Sequence, residues 1–450
     1  MEDVATRPSP QTQSLPEIRR VVVLGANGAM GAGAGAMFAA AGCEVTLVAR
    51  DRGKAETAIA GVQGIAKSER IADSIHIATY DEGMEKLLAG ADLVFEALAE
   101  EMKLKRDIFR QVDAARPPHA IVATVSSGLS IEQMTHGLSA GFRSHFAGIH
   151  LYNPPHVMVG VEIIPHSDMP AETVEALREL LTTRFGRQAI VCEDMAAFVG
   201  NRIGFKVINE VAQLAEIHGV QLMDTLIGPY TGRAMAPLAT ADLVGWDVHQ
   251  AIVDNIVANT NDEAKQAFVF PAYMVALMEH GHLGDKTPAL GGFFRRVYVD
   301  GKGVNEVLQP GNRNYVPRNA ALKIPFVEEV KDLHHRGRYR EGINRFIEAS
   351  GEDAEIARRV IIGYVSYALN RVGPGEPARD YRDVDRIMSA GFNWVPPSAL
   401  VDLIGLDRTV ALMDRYALKR PALLDAALRG EIPPRLFDLP FVTPSRYFAG

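Results

Sequence analysis

The chain has 450 residues, 47% of them hydrophobic and 23% charged, with 40 Gly and 25 Pro spread along it. That composition is near the average of folded multidomain proteins and excludes collagen, coiled coil and wholesale disorder. Lys plus Arg number 47 against 55 Asp plus Glu, a formal charge of −8, which excludes a general polyanion binder such as a nucleic-acid-coating protein while leaving room for one local anion site.

Residues 1–16 are polar and proline-containing, without the basic-then-apolar order of a signal peptide, and read as a loose tail over 1–17. No uncharged apolar run reaches the ~18 residues that cross a bilayer. Cys43 and Cys192 are too few for a disulfide framework and have no metal-ligand spacing. A cytoplasmic protein with no membrane partner is expected.

From Arg19 the pattern changes. Residues 21–24 are a β-branched run, a glycine cluster follows, and small residues over 31–41 lead to a second strand at 44–48. Strand, helix and strand within about 30 residues make one βαβ unit. Further strands are expected at 75–78, 91–95, 120–125, 146–150 and 159–164, with helical stretches such as 102–114 between them. This alternation predicts an α/β fold, a Rossmann-like, doubly wound and mostly parallel sheet over 18–195.

Beyond Val199 the strand signals stop. Ile203, Val207, Val211, Leu214 and Ile217 mark an amphipathic helix over 203–218. Two later segments resemble each other: Ala236-Pro237 with Asp242-Leu243-Val244-Gly245-Trp246-Asp247, and Pro396-Pro397 with Asp402-Leu403-Ile404-Gly405-Leu406-Asp407. The offset, 402 − 242 = 160 residues, is far longer than a solenoid period of ~20 to 50 and indicates a duplicated domain. The expected order after the sheet is a helical domain over 196–310, a linker rich in Gly, Pro, Asn and charge over 311–340, and a second, related all-α domain over 341–450.

The turn Gly25-Ala26-Asn27-Gly28-Ala29-Met30-Gly31 follows a strand and opens a helix. In that context glycines let the backbone approach a pyrophosphate, whose charge is stabilised by the N–H groups of the helix start. A tight packing turn is the bland alternative. The end of the second strand normally carries a carboxylate for the ribose of NAD. Here it reads Val48-Ala49-Arg50-Asp51-Arg52, so Ala49 stands in the acid's place, Arg50 and Arg52 suit a 2′-phosphate, and Asp51 reaches the ribose only from a shifted register. NAD and NADP both stay open.

His150 closes an apolar strand ahead of Pro154-Pro155, and Glu162 is the one carboxylate in the next apolar strand, 12 residues later. A lone buried carboxylate is costly unless paired. A histidine whose second nitrogen meets a carboxylate is a good general base. His145 and His156 do not complete a metal set.

Phe95-Glu96-Ala97 with Glu100 and Lys105, Ser126-Ser127-Gly128-Leu129, 146–154, Val161-Glu162 and Phe198-Val199-Gly200-Asn201-Arg202 occur in an order and spacing that resemble the 3-hydroxyacyl-CoA dehydrogenase family. Met235-Ala236-Pro237 and Gly284-Asp285-Lys286-Thr287 with Gly291-Gly292-Phe293 extend the likeness, and the duplicated half resembles the longer family members.

The resemblance implies oxidation of a (S)-3-hydroxyacyl-CoA to the 3-oxoacyl-CoA by hydride transfer to NAD, in fatty-acid β-oxidation or a related pathway. It makes His150 the base and Glu162 its orienting partner. Ser127 and Asn201 hold substrate oxygens, and Glu100, Lys105, Ser127 and Asn153 lie on the cofactor side with Gly25, Gly28, Met30, Gly31 and Arg50. The same residues have ordinary alternatives: Ser127 a helix cap, Asn201 a helix start, Glu100 and Lys105 an exposed helical pair. Val125 stands where the family has Asn. The acyl-CoA substrate is the expected partner, with Lys54, Lys67 and Arg70 as candidates for its anionic part. A second helical copy permits a monomer where single-copy relatives form a homodimer. Two other readings are a dehydrogenase of a 3-hydroxy acid without CoA and a non-catalytic dinucleotide-binding protein.

Overall fold

The computed structural model describes residues 17–439 and 445–448, in two compact units that meet in sequence between Asp194 and Met195. The expected tail lies outside the described residues except for Glu17.

The first unit holds β1 (Arg20–Leu24), β2 (Glu44–Ala49), β3 (Ile75–Thr79), β4 (Leu93–Glu96), β5 (Ile121–Thr124), β6 (Phe146–Leu151), β7 (Gly160–Pro165) and β8 (Gln188–Val191). They form one sheet in the order β3-β2-β1-β4-β5-β6-β7-β8, parallel throughout except between β6 and β7. Residues of β4, β5 and β6 are buried without exception, which is why these strands read as continuous apolar runs rather than alternating ones.

Four longer helices, α1 (Ala29–Ala40), α2 (Arg52–Ala66), α3 (Met102–Ala115) and α4 (Ala171–Thr183), belong to this unit. Small residues let α1 approach its neighbours closely. A Cβ on Gly33 would come 2.3 Å from Pro155 Cγ, and one on Gly35 2.7 Å from Leu47 Cδ2. Phe38 on α1 then meets the edges of Phe95 and Phe185, at 5.4 and 5.3 Å between ring centres, in the centre of the core.

The second unit is mainly helical: α5 (Gly200–His218), α6 (Pro237–Val244), α7 (Trp246–Asn259), α8 (Ala272–Met278), α9 (Pro325–His335), α10 (Tyr339–Glu348), α11 (Glu352–Leu369), α12 (Tyr381–Gly391), α13 (Pro397–Ile404), α14 (Leu406–Arg415) and α15 (Ala422–Leu428). The expectation that strands stop after Val199 needs correction. β9 (Phe294–Val299), β10 (Lys302–Gln309) and β11 (Asn314–Pro317) form an antiparallel sheet. Asp300 and Gly301, at φ 49° and 74°, make the turn between β9 and β10, as a two-residue hairpin loop requires. These strands are largely solvent-facing, so their polar sequence carries no core signal. The segment 311–340, expected as a linker, holds β11 and α9 and the start of α10.

The 160-residue repeat is geometric as well as textual. Each copy has a helix opened by proline, α6 and α13, followed by a glycine hinge and a second helix, α7 and α14. Gly245 (φ 94°, ψ 134°) and Gly405 (φ 98°, ψ 136°) share one conformation. In each, a carboxylate accepts two successive backbone N–H groups: Asp242 from Phe293 and Phe294, both at 2.9 Å, and Asp402 from Leu436 and Phe437, both at 3.0 Å. The copies pack through α5 against α11 and α12. Asp262 accepts from Arg202 (2.9 Å), Arg371 (3.2 Å) and Tyr367 (2.7 Å) between them.

Candidate active site

Parallel strands direct their carboxyl ends to one edge of the first unit's sheet, the edge at which open α/β folds bind ligands. At the end of β1, the N–H groups of Gly25 and Ala26 both donate to Val48 O at 3.1 Å, anchoring the glycine turn to β2. Gly25 has φ 88°, and a Cβ there would lie 2.6 Å from Ala97 O. Gly28 caps α1 without any side-chain hydrogen bond, and the first turn contains no acidic residue. The N–H groups of this 12-residue helix are therefore left for an anion, the fit expected for the pyrophosphate of a dinucleotide. Met30 is partly buried against the core.

At the end of β2, Ala49 is buried and Asp51 is committed to α2. It accepts the Lys54 N–H at 2.9 Å and lies 3.0 Å from the Lys54 ammonium, and these contacts hold its carboxyl below the ordinary range. Arg50 is exposed, with no hydrogen bond or ion pair among the described residues.

Glu96, the last residue of β4, and Lys105 on α3 are both 0% exposed. The ammonium sits 2.8 Å from each Glu96 oxygen and 3.5 Å from Glu100, and the Thr124 hydroxyl donates to Glu96 at 2.5 Å. Glu100 in turn accepts from the Ser126 hydroxyl (2.5 Å) and the backbone N–H groups of Ser127 (2.9 Å) and Gly128 (3.2 Å). Lys105 thus lies behind Glu100, and a direct cofactor contact would require uncovering it. Ser127 keeps a hydroxyl with no hydrogen-bond partner among the described residues, and Asn153 is exposed.

β6 and β7 place His150 and Glu162 directly opposite each other. His150 is 2% and Glu162 0% exposed, and His150 Nδ1 lies 2.6 Å from Glu162 Oε2. An ionised carboxylate only accepts, so Nδ1 carries the proton and Nε2 is the basic nitrogen. The Tyr152 hydroxyl donates to the same Oε2 at 2.7 Å; burial, then the adjacent carboxylate, hold its phenol well above the ordinary range. Tyr152 was not singled out in the sequence, although it lies two residues after His150 on an extended chain and so on the same face. Asn201 is in the first turn of α5 in the second unit, 7% exposed.

Among the described residues no group of three or more His, Cys, Asp or Glu side chains is placed to hold a metal ion, and no helix is long and apolar enough to cross a membrane. Cys43 and Cys192 are buried and form no disulfide.

A doubly wound sheet with an uncapped glycine turn at one strand end and a buried His–Glu pair at another defines a dinucleotide-dependent oxidoreductase. Residues 20–195 match the NAD binding domain of 3-hydroxyacyl-CoA dehydrogenase and residues 198–293 its C-terminal domain. Together these cover more than half of the chain, which belongs to the 3-hydroxyacyl-CoA dehydrogenase family.

A probable 3-hydroxyacyl-CoA dehydrogenase of Bacillus subtilis is 27% identical over 354 residues, 77% of this chain and 43% of that protein, so the chain spans less than half of that relative's length. A 3-hydroxybutyryl-CoA dehydrogenase of Bradyrhizobium diazoefficiens is 32% identical over 285 residues, 60% of this chain and 93% of that one. A 5-formyl-3-hydroxy-2-methylpyridine 4-carboxylate 5-dehydrogenase of Mesorhizobium japonicum is 29% identical over 251 residues, 52% and 79% of the two chains. The crystal structure of 3-hydroxybutyryl-CoA dehydrogenase from Escherichia coli K12 shares the fold, with a TM-score of 0.67, 22% identity, and coverage of 92% of this chain and 99% of that one.

Proposed function

We propose that the chain oxidises a (S)-3-hydroxyacyl-CoA to the 3-oxoacyl-CoA in fatty-acid β-oxidation or a related acyl-CoA pathway. The observation that carries this reading is the His150 Nδ1 to Glu162 Oε2 contact of 2.6 Å in a buried site at the strand ends. The glycine turn and the start of α1 would hold NAD, which would supply the hydride acceptor for C3. His150 Nε2 takes the proton of the 3-hydroxyl, and Glu162 stabilises the imidazolium that forms. In the reducing direction the same imidazolium returns the proton to the developing alkoxide. The Ser127 hydroxyl holds a substrate oxygen. Glu100, supported by Lys105, fixes the backbone of 126–128 beside the cofactor, and Asn153 and Arg50 complete the cofactor side. With Ala49 in the acid's place and Arg50 exposed beside it, the adenosine end accommodates NADP as well as NAD.

The test is nicotinamide absorbance with acetoacetyl-CoA and either NADH or NADPH. Turnover is expected, and His150→Gln lowers it by about 10²-fold or more while cofactor binding persists. Inertness with both cofactors and with longer acyl chains, or full turnover in the variant, overturns the reading. The Mesorhizobium relative, whose name contains no CoA, favours a second reading, a 3-hydroxy acid without CoA; turnover of an acyl-CoA against its free acid separates the two. With neither cysteine in a disulfide, a reducing cytoplasm suits the chain, and the paired helical copies suit a monomer.

A further inference from the structure

Glu162 Oε2 is shared. It accepts Nδ1–H of His150 at 2.6 Å and the hydroxyl of Tyr152 at 2.7 Å, while the two rings stand edge to face, 4.9 Å apart and at 63°. Titratable groups around this carboxylate include His150 from β6 and Tyr152 from the turn beyond it, and Cys192, just past β8, interacts with Tyr152.

A carboxylate oxygen offers about two lone-pair sites. Here one goes to imidazole and the other to phenol. The second donor withdraws negative charge from the oxygen that supports the imidazolium and pins the carboxylate so that it cannot rotate away from Nδ1.

We propose that Tyr152 is a positioning residue of the dehydrogenase reaction: its hydroxyl fixes Glu162 against His150 and tempers the basicity that Glu162 confers, so that His150 both takes a proton and gives it back. The proposal rests on the reading of His150 as the base. Without the phenol, Glu162 would hold the imidazolium more tightly and keep the base protonated to higher pH.

The test is Tyr152→Phe in the full chain. The acid-side limb of kcat/KM for 3-hydroxybutyryl-CoA oxidation is expected to move upward by about half a pH unit or more, with kcat falling several-fold near neutrality and KM unchanged. A folded variant with the wild-type limb overturns the proposal. The His150 imidazole, followed by nitrogen NMR against pH in the free protein, needs no substrate, and its transition is expected to move upward in the variant. An unmoved transition overturns the proposal whatever the substrate; a moved one with no acyl-CoA turnover sustains it and counts against the substrate reading alone.

Should the variant fail to fold, wild-type chain grown on 3-fluorotyrosine supplies a more acidic phenol and a stronger donor. The His150 transition is then expected to move downward, and an unchanged one overturns the proposal.

Discussion

Gly28 and Gly31 share one turn and answer to different constraints. A Cβ on Gly31 would sit 2.5 Å from Gly25 O and 2.8 Å from Ala26 Cα, both backbone atoms that cannot yield. A Cβ on Gly28 would meet nothing closer than 3.9 Å, and its φ of −82° suits any residue. Gly31→Ala should therefore cost about 1–3 kcal/mol of stability, seen as a lower melting temperature of the free protein. Gly28→Ala should melt as wild type yet bind NADH about tenfold or more weakly, because only a pyrophosphate against the backbone would fill the space. Equal melting temperatures of both variants with equal NADH affinities would refute the assignment. At this scale the histidine, its glutamate and the glycines were legible from the sequence, since strand ends and a lone carboxylate in an apolar run announce themselves. Tyr152 was not, because one tyrosine in an apolar stretch looks like core. Lys105 read as a cofactor contact, or else as half of an exposed helical pair, because nothing in a helical sequence says that its ammonium will be drawn between Glu96 and Glu100.

Between α12 and α13 lies a carboxylate whose surroundings make stability depend on pH. Asp385 is fully buried, and burial pushes its carboxyl up to about 7 against the Ser398 hydroxyl and N–H that favour the ionised form. An unfolded Asp titrates near ~3.9, so between about pH 4 and 7 the folded chain binds the extra proton. The Asp385 contribution is fully present below that window and is lost as pH rises through 7. Asp385→Asn imitates the neutral acid at every pH. Its melting temperature relative to wild type should rise from pH 5 to pH 8, by up to the equivalent of about 3 kcal/mol; parallel melting curves would contradict the argument. The first unit's strands were legible to within a few residues because burial on both faces writes an apolar run. β8 escaped notice because four residues, Gln188–Val191, are too short to stand out, and β9 to β11 because an exposed hairpin needs turn chemistry rather than apolar periodicity. The same Gly, Pro and Asn that suggested a linker over 311–340 are the punctuation of that sheet.

The duplication gives the whole molecule its size, and the packing of the two copies gives it a use for both. A helical domain that leaves an apolar face uncovered is prone to associate with a second copy. Here α5 of the first copy lies on α11 and α12 of the second, and the contact is intimate: a Cβ on Gly204 would come 2.2 Å from the Phe392 ring. Asp262, with Arg202, Arg371 and Tyr367 around it, adds a buried ionic cluster whose worth lies in register more than in net stability. The faces that join the two copies are thus covered within one chain. Light scattering should give a mass near 48.9 kDa that is independent of concentration. Gly204→Val should force Phe392 aside, lower the melting temperature by the equivalent of about 1–3 kcal/mol, and make the measured mass rise with concentration as the faces between the copies come apart. A wild-type mass of twice 48.9 kDa, with Gly204→Val leaving it unchanged, would mean that the second copy does something other than replace a partner.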